Sequence, residues 1–193
     1  MTTPTQTDLA KRDKKLKEFL RHLDEEGKGK APQILGYVRG AIRSAWMKSN
    51  TKLAFLYMNT IPDMDDSTRT KWLWKCEICG NLFKLTDINV DHKQGNHSFT
   101  KIEEFESYFE NILMVGFDDL QILCVEDHKI KSLSESLGVS FEDAAYHKIA
   151  IDLQKGKLDK PWLESKDVVP AKNKDVRRTQ IIELLKQEKD SAN

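Results

Sequence analysis

Two short segments carry the most chemistry for their length. The first is Cys76-x-x-Cys79-Gly80. Two intervening residues let both thiolates reach one tetrahedral ion, and the glycine permits the tight turn that follows. The second is Cys124-x-x-Asp127, where Asp127 stands at the place expected of a further cysteine. Carboxylate oxygen is an accepted zinc ligand, less common beside three sulfurs. The spacing predicts a structural zinc held by Cys76, Cys79, Cys124 and Asp127. Two other readings stay open: His128 or His97 as the fourth ligand, and cysteines that are merely small buried hydrophobes.

A second constellation is Val90-Asp91-His92, followed downstream by His128, Lys129 and Lys131. Adjacent residues on a strand point to opposite faces, so one of Asp91 and His92 can hold a cation while the other faces a substrate. If zinc ties residues 124–127 to 76–79, His128 opens a helix close to the strand bearing Asp91 and His92.

The elements that must position these residues are legible as periodicities. Residues 7–26 read as a helix with Leu9, Leu16, Phe19, Leu20 and Leu23 on one side, ended by Gly27 and Gly29. Pro32 opens a second helix with Ile34, Val38, Ala41, Ile42, Ala45 and Trp46 as its apolar stripe, leaving Arg39, Arg43 and Lys48 on a basic face. A short helix over 51–60 and a polar linker follow. Residues 71–92 alternate short apolar pieces with turns, as small strands around a knuckle do. Helical spacing returns over 100–114, and Leu120–Cys124 reads as a strand. Another helix runs from about Asp127 to Leu137, stopped by Gly138. Ser140 with Asp143 resembles a capping box for a helix to about 154. Pro161 to Pro170 reads as loop, and 174–188 as a final charged helix. Trp46, Trp72, Trp74 and Trp162 are expected in the core.

The chain has 193 residues, with 39 % hydrophobic and 32 % charged side chains, which suits a modest core with solvated helices around it. No run approaches the ~20 apolar residues of a membrane helix. The first residues hold no apolar stretch of the secretory kind. Three cysteines are a poor disulfide framework, so a cytoplasmic compartment is expected, with no membrane partner. The formal net charge of zero conceals a division. Residues 39–75 carry seven basic and three acidic side chains, whereas 76–135 carry five and twelve. An acidic middle between basic arms suits a site that concentrates carboxylates around cations, with phosphate contacts supplied by its neighbours.

Cys76-x-x-Cys79, Val90-Asp91-His92 and Leu120-Gln121-Ile122-Leu123-Cys124-x-x-Asp127-His128-Lys129-x-Lys131 together resemble the HNH endonucleases, in particular the small bacteriophage-encoded HNH proteins. The resemblance is specific over about residues 70–135, and Glu135 fits the family's spacing. It implies an α+β fold: a zinc-stabilised ββα-metal finger over 70–137, flanked by a helical N-terminal arm (1–62) and a helical C-terminal extension (138–193). His92 would match the general base, Asp91 and His128 the ligands of a catalytic divalent cation (Mg²⁺ or Mn²⁺), and Asp119 the middle position, usually Asn. Lys129, Lys131, Arg39 and Arg43 would contact DNA, and the helical arms would contact DNA or form a homodimer.

Phosphodiester hydrolysis needs a water deprotonated in line with the leaving oxygen, which an imidazole titrating near neutrality can accept from. A hard cation held by carboxylate and imidazole binds the phosphate and stabilises the leaving oxygen. Asp119 departs from the family pattern, because an ionised Asp can only accept hydrogen bonds where Asn also donates. Asp127 departs at the zinc. These departures leave a rival expectation: a catalytically inactive zinc-knuckle module that binds nucleic acid or protein.

Overall fold

The computed structural model describes residues 3–95 and 98–192; His97, a candidate fourth zinc ligand in the sequence, lies outside the described residues. The fold is α+β, and its described residues pack as two compact units, 3–55 with 98–117 and 56–95 with 118–192.

The first unit is helical. α1 (Gln6–Leu20) begins at Thr5, whose hydroxyl accepts from the Asp8 amide while the Asp8 carboxylate accepts from the Thr5 amide. This reciprocal pair satisfies two otherwise orphaned donors. The expected apolar stripe of α1 does not face a core: Leu16, Phe19 and Leu20 are 52–64 % exposed, and no residue of the helix is buried. Gly27 adopts φ +80°, in the left-handed region that glycine enters freely, and closes the turn after α1. α2 (Ala31–Trp46) has Pro32 in its first turn, where the missing N–H costs nothing. It buries Leu35, Ile42 and Trp46 and packs with α4 (Phe105–Leu113), which buries Tyr108 and Ile112. Phe99 fills the seam, its ring 4.9 Å from that of Tyr108. α3 (Asn50–Met58) runs on into the second unit.

The second unit starts with an antiparallel sheet, β1 (Ile61–Pro62), β2 (Trp72–Lys75) and β3 (Leu82–Phe83). Trp74 is buried there and its indole N–H donates to the Leu56 carbonyl at 2.8 Å. Trp72, expected in the core, is 49 % exposed: it shares a face of β2 with Trp74 but stands at the first position of the strand. β4 (Ile88–His92) and β5 (Leu120–Cys124) pair antiparallel, with Ile88 opposite Cys124 and His92 opposite Leu120.

α5 (Val125–Leu137) follows β5 without a loop, and Gly138 ends it at φ +65°. α6 (Phe141–Lys155) is capped by Ser140, whose hydroxyl accepts from the Asp143 amide. The Asp143 carboxylate turns instead to Lys186 of α8 (Lys174–Ala192). Residues 159–164 are helical rather than loop (α7, Asp159–Glu164): Pro161 stands in the first turn, and Leu163 is fully buried with Ala150 of α6 and Ile181 of α8. A proline in the first turn is compatible with the helix, and the run of loop-forming residues begins only after Glu164.

Candidate metal centre

The cysteine knuckle is built by backbone bonds. The Cys76 amide donates to Asn81 O and the Gly80 amide to Cys76 O, both at 2.9 Å, and Gly80 takes φ +74°. β2 ends at this knuckle, which is joined to β5 by the Glu77 amide donating to Ile122 O at 2.9 Å. The Glu77 carboxylate answers by accepting from the Ile122 amide at 3.1 Å. The far end of β5 delivers Cys124, whose Sγ caps α5 by accepting from the Asp127 amide at 3.3 Å. The Cys124-x-x-Asp127 spacing is thus the first turn of a helix, which aims both side chains the same way.

The result is one cluster. Ligand atoms of Cys76, Cys79, Cys124 and Asp127 all lie within 4.8 Å of one another, and the Cys76 thiol donates to Asp127 Oδ2 at 3.0 Å. Zn–S bonds of ~2.3 Å in a tetrahedron require sulfurs ~3.8 Å apart, so the donor set fits such an ion. Burial pushes the Cys124 thiol up to about 12, with the Asp127 carboxylate adding to the effect. At Cys79 an amide hydrogen bond from Asn81 opposes the rise, but burial and the neighbouring Asp127 and Cys76 outweigh it. Burial would raise Asp127; the hydrogen bonds it accepts from the three cysteines hold it below the ordinary carboxylate value. Four acidic groups so close ionise together only with a cation among them, which is what a structural metal provides. His128 is not a member of this cluster.

The second constellation assembles on β4 and α5. Along β4, Ile88, Val90 and His92 are buried and Asn89 and Asp91 half-buried, so His92 and Asp91 do point to opposite faces. Asp91 Oδ1 lies 3.5 Å from His128 Nε2. Its other oxygen, Oδ2, is 3.0 Å from Lys131 Nζ and accepts from Gln121 Nε2 at 3.1 Å. Lys131 also donates to the His92 carbonyl at 2.9 Å and pairs with Glu135 one turn further along α5. A β-carbon on Gly95 would run into the Glu135 carboxylate, the mobile end of that side chain, which would have to shift away. Burial would raise Asp91, yet His128 and Lys131 hold it below its ordinary value. For Lys131, burial is likewise outweighed by Glu135 and Asp91, which raise it.

Other residues singled out in the sequence lie differently. Asp119 is exposed in a single 3₁₀ turn (Phe117–Asp119) before β5, its carbonyl accepting from the Lys93 amide at 2.8 Å. Lys129 is exposed and 3.5 Å from Glu126. Arg39 donates to Phe99 O and lies over that ring at 5.5 Å, and Arg43 Nε donates to the Tyr108 hydroxyl at 3.1 Å. Both arginines therefore fasten residues 98–113 to α2. Lys131, expected from the sequence as a DNA contact, and Gln121, part of the motif around β5, are structural members of the Asp91 cluster. The i, i+4 spacing of Lys131 and Glu135 was the available signal.

Fold and cluster define an α+β protein with a Cys₃Asp group able to hold a metal ion. No family model, curated protein or solved structure matches the chain. Among the described residues, no helix is long and apolar enough to cross a membrane.

Proposed function

We propose that the chain is a metal-dependent HNH endonuclease that hydrolyses DNA phosphodiester bonds, with β4, β5 and α5 as its ββα-metal finger and Cys76, Cys79, Cys124 and Asp127 as its zinc ligands. The observation that carries the reading is the approach of Asp91 to His128, 3.5 Å apart on a strand and a helix joined through β5 and the Cys₃Asp cluster. A small finger needs such a metal cluster, rather than a large core, to hold that geometry.

A divalent cation, Mg²⁺ or Mn²⁺, held by Asp91 and His128 would supply Lewis acidity at the scissile phosphate. His92 accepts the proton of the attacking water. Gln121 and Lys131 fix the Asp91 carboxylate through Oδ2, leaving Oδ1 toward His128. Lys129, exposed beside His128, is available to a phosphate. Asp119 has no assigned step in this scheme.

The test is conversion of supercoiled plasmid with Mg²⁺ or Mn²⁺ by the unmodified chain and by His92→Ala purified identically. General-base catalysis contributes ~10²–10⁴-fold, so the variant should leave the plasmid intact in a short assay. Equal cutting by both would remove His92 from the mechanism. His92 is 9 % exposed, so the same assay also asks whether a phosphate reaches it.

A second reading has one observation in its favour. The ammonium of Lys131 already neutralises Asp91, as a purely structural cluster would require. Inactivity of both proteins with either cation would leave a zinc-knuckle binding module.

A further inference from the structure

We propose that the end of the second unit formed by the α6–α7 turn and the start of α8 is a contact surface for the phosphate backbone of duplex DNA, with Lys155, Lys157, Lys160, Lys172 and Lys174 as its cations. The inference rests on the nuclease reading for the identity of the polyanion, and it locates the binding surface that reading requires.

Several hydrogen bonds bring the two stretches of chain together. Gln154, at the end of α6, donates to Lys174 O at 2.6 Å and accepts from Arg178 at 2.8 Å. Arg177 pairs with Asp159 Oδ2 at 2.6 Å and donates to the carbonyls of Ala171 and Lys172 at 2.8 Å. Residues 154–160 and 171–178 thus share one end of the helical layer. All five lysines there are exposed, and none forms an ion pair among the described residues.

The nearby acids do not cancel this charge. Asp159 is buried and neutralised by Arg177. Asp152 is held by Lys148. Asp175 at the start of α8 and Glu164, one turn from Lys160 on α7, remain exposed, two carboxylates beside five ammonium groups. Arg178 keeps its charge, since its partner Gln154 is a neutral amide. A protein of zero formal net charge therefore concentrates a strongly positive end. Exposed lysines on separate turns match repeated phosphates, which need point charges rather than one enclosed site.

α6 links the patch to the first turn of α5, which carries His128. α6 packs on α5, and Lys148 of α6 lies 3.2 Å from Glu126 in the first turn of α5. The Asp152 carboxylate is lowered chiefly by its hydrogen bond from Lys148, with Lys155 and Lys129 adding to the effect. A backbone laid across the lysines would thus pass the end of α5 that carries His128.

The experiment is fluorescence anisotropy of a short labelled duplex against the full-length, zinc-loaded chain, without added Mg²⁺ or Mn²⁺, over a series of NaCl concentrations. The test variant is Lys155→Gln/Lys157→Gln/Lys160→Gln. The control, Arg69→Gln/Lys84→Gln/Lys101→Gln, makes the same charge change on exposed positions outside the patch and outside the helical arms. Each phosphate contact contributes ~0.9 to the log–log salt slope, so the test variant should lose ~2.7 and bind about tenfold more weakly or worse. The control should keep slope and affinity. Equal losses in both variants would reduce the effect to net charge and overturn the assignment. Duplex binding unchanged in both would overturn the location while leaving DNA as the partner. Absence of duplex binding by the unmodified chain, with capture on phosphatidylserine vesicles instead, would reassign the patch to a membrane surface. The nuclease reading fails separately, in the comparison with His92→Ala.

Discussion

Lys131 Nζ sits 3.0 Å from Asp91 Oδ2, so a fixed ammonium and His128 address different oxygens of one carboxylate. The lysine side chain is only 14 % exposed and the aspartate 16 %. Removing the cation would leave Asp91 half-buried with a single neutral donor, Gln121, and an imidazole. Lys131→Met should therefore cost about 1–3 kcal/mol of unfolding free energy, measured by urea denaturation. The same variant should bind Mn²⁺ more tightly by titration calorimetry, because a like charge has left the carboxylate. Unchanged stability and unchanged Mn²⁺ affinity would mean that Lys131 is a surface lysine in function.

Gly95 and Glu135 offer a test of the same cluster by geometry. A β-carbon at position 95 displaces the Glu135 carboxylate and so parts it from Lys131. Gly95→Ala and Glu135→Ala should each destabilise by about 1 kcal/mol, and the double variant by little more than either alone. Additive losses in the denaturation midpoints would place the two effects apart.

Zinc is expected at one ion per chain by elemental analysis of protein purified without chelator. Asp127→Asn removes an anionic oxygen, and it should weaken zinc about tenfold or more. Asp127→Cys should bind zinc more tightly than the unmodified chain, and Co²⁺ substituted into it should show stronger thiolate-to-metal absorption. Chelation should lower the melting temperature sharply, since metal binding here is also folding energy. A chain that melts identically with and without chelator would contradict the zinc assignment.

The buried pair Asp159–Arg177 predicts a pH dependence. Burial alone would raise Asp159, but Arg177 holds it below the usual carboxylate value. Depressed in the folded state, it contributes stability that is complete above the unfolded value of ~3.9 and is lost as pH falls through the lower, folded value. Asp159→Asn strands the guanidinium and should cost about 3–5 kcal/mol at neutral pH. The difference between variant and unmodified chain should shrink below pH ~4, read from denaturation at stepped pH.

Much of this protein was determined by sequence alone, wherever a signal is local. The C-x-x-C-G knuckle, the proline at the start of α2, the glycine after α5 and the alternation along β4 each act within a few residues. The Cys₃Asp cluster was also legible, because ligand types and spacing limit what one ion can gather. Tertiary structure alone decided the rest. Arg39 and Arg43 read as part of a basic face; that Phe99 O and the Tyr108 hydroxyl, some sixty residues away, each accept from one of them is encoded by no local spacing. Residues 161–164 are helical where a loop is expected, and Leu163 there is enclosed by Ala150 and Ile181, which no local spacing announces. The stripe on α1 is regular yet stays exposed, since periodicity specifies a face and not what covers it. Lys131 acquires its place only when β4 meets α5, and no spacing within either element encodes that meeting.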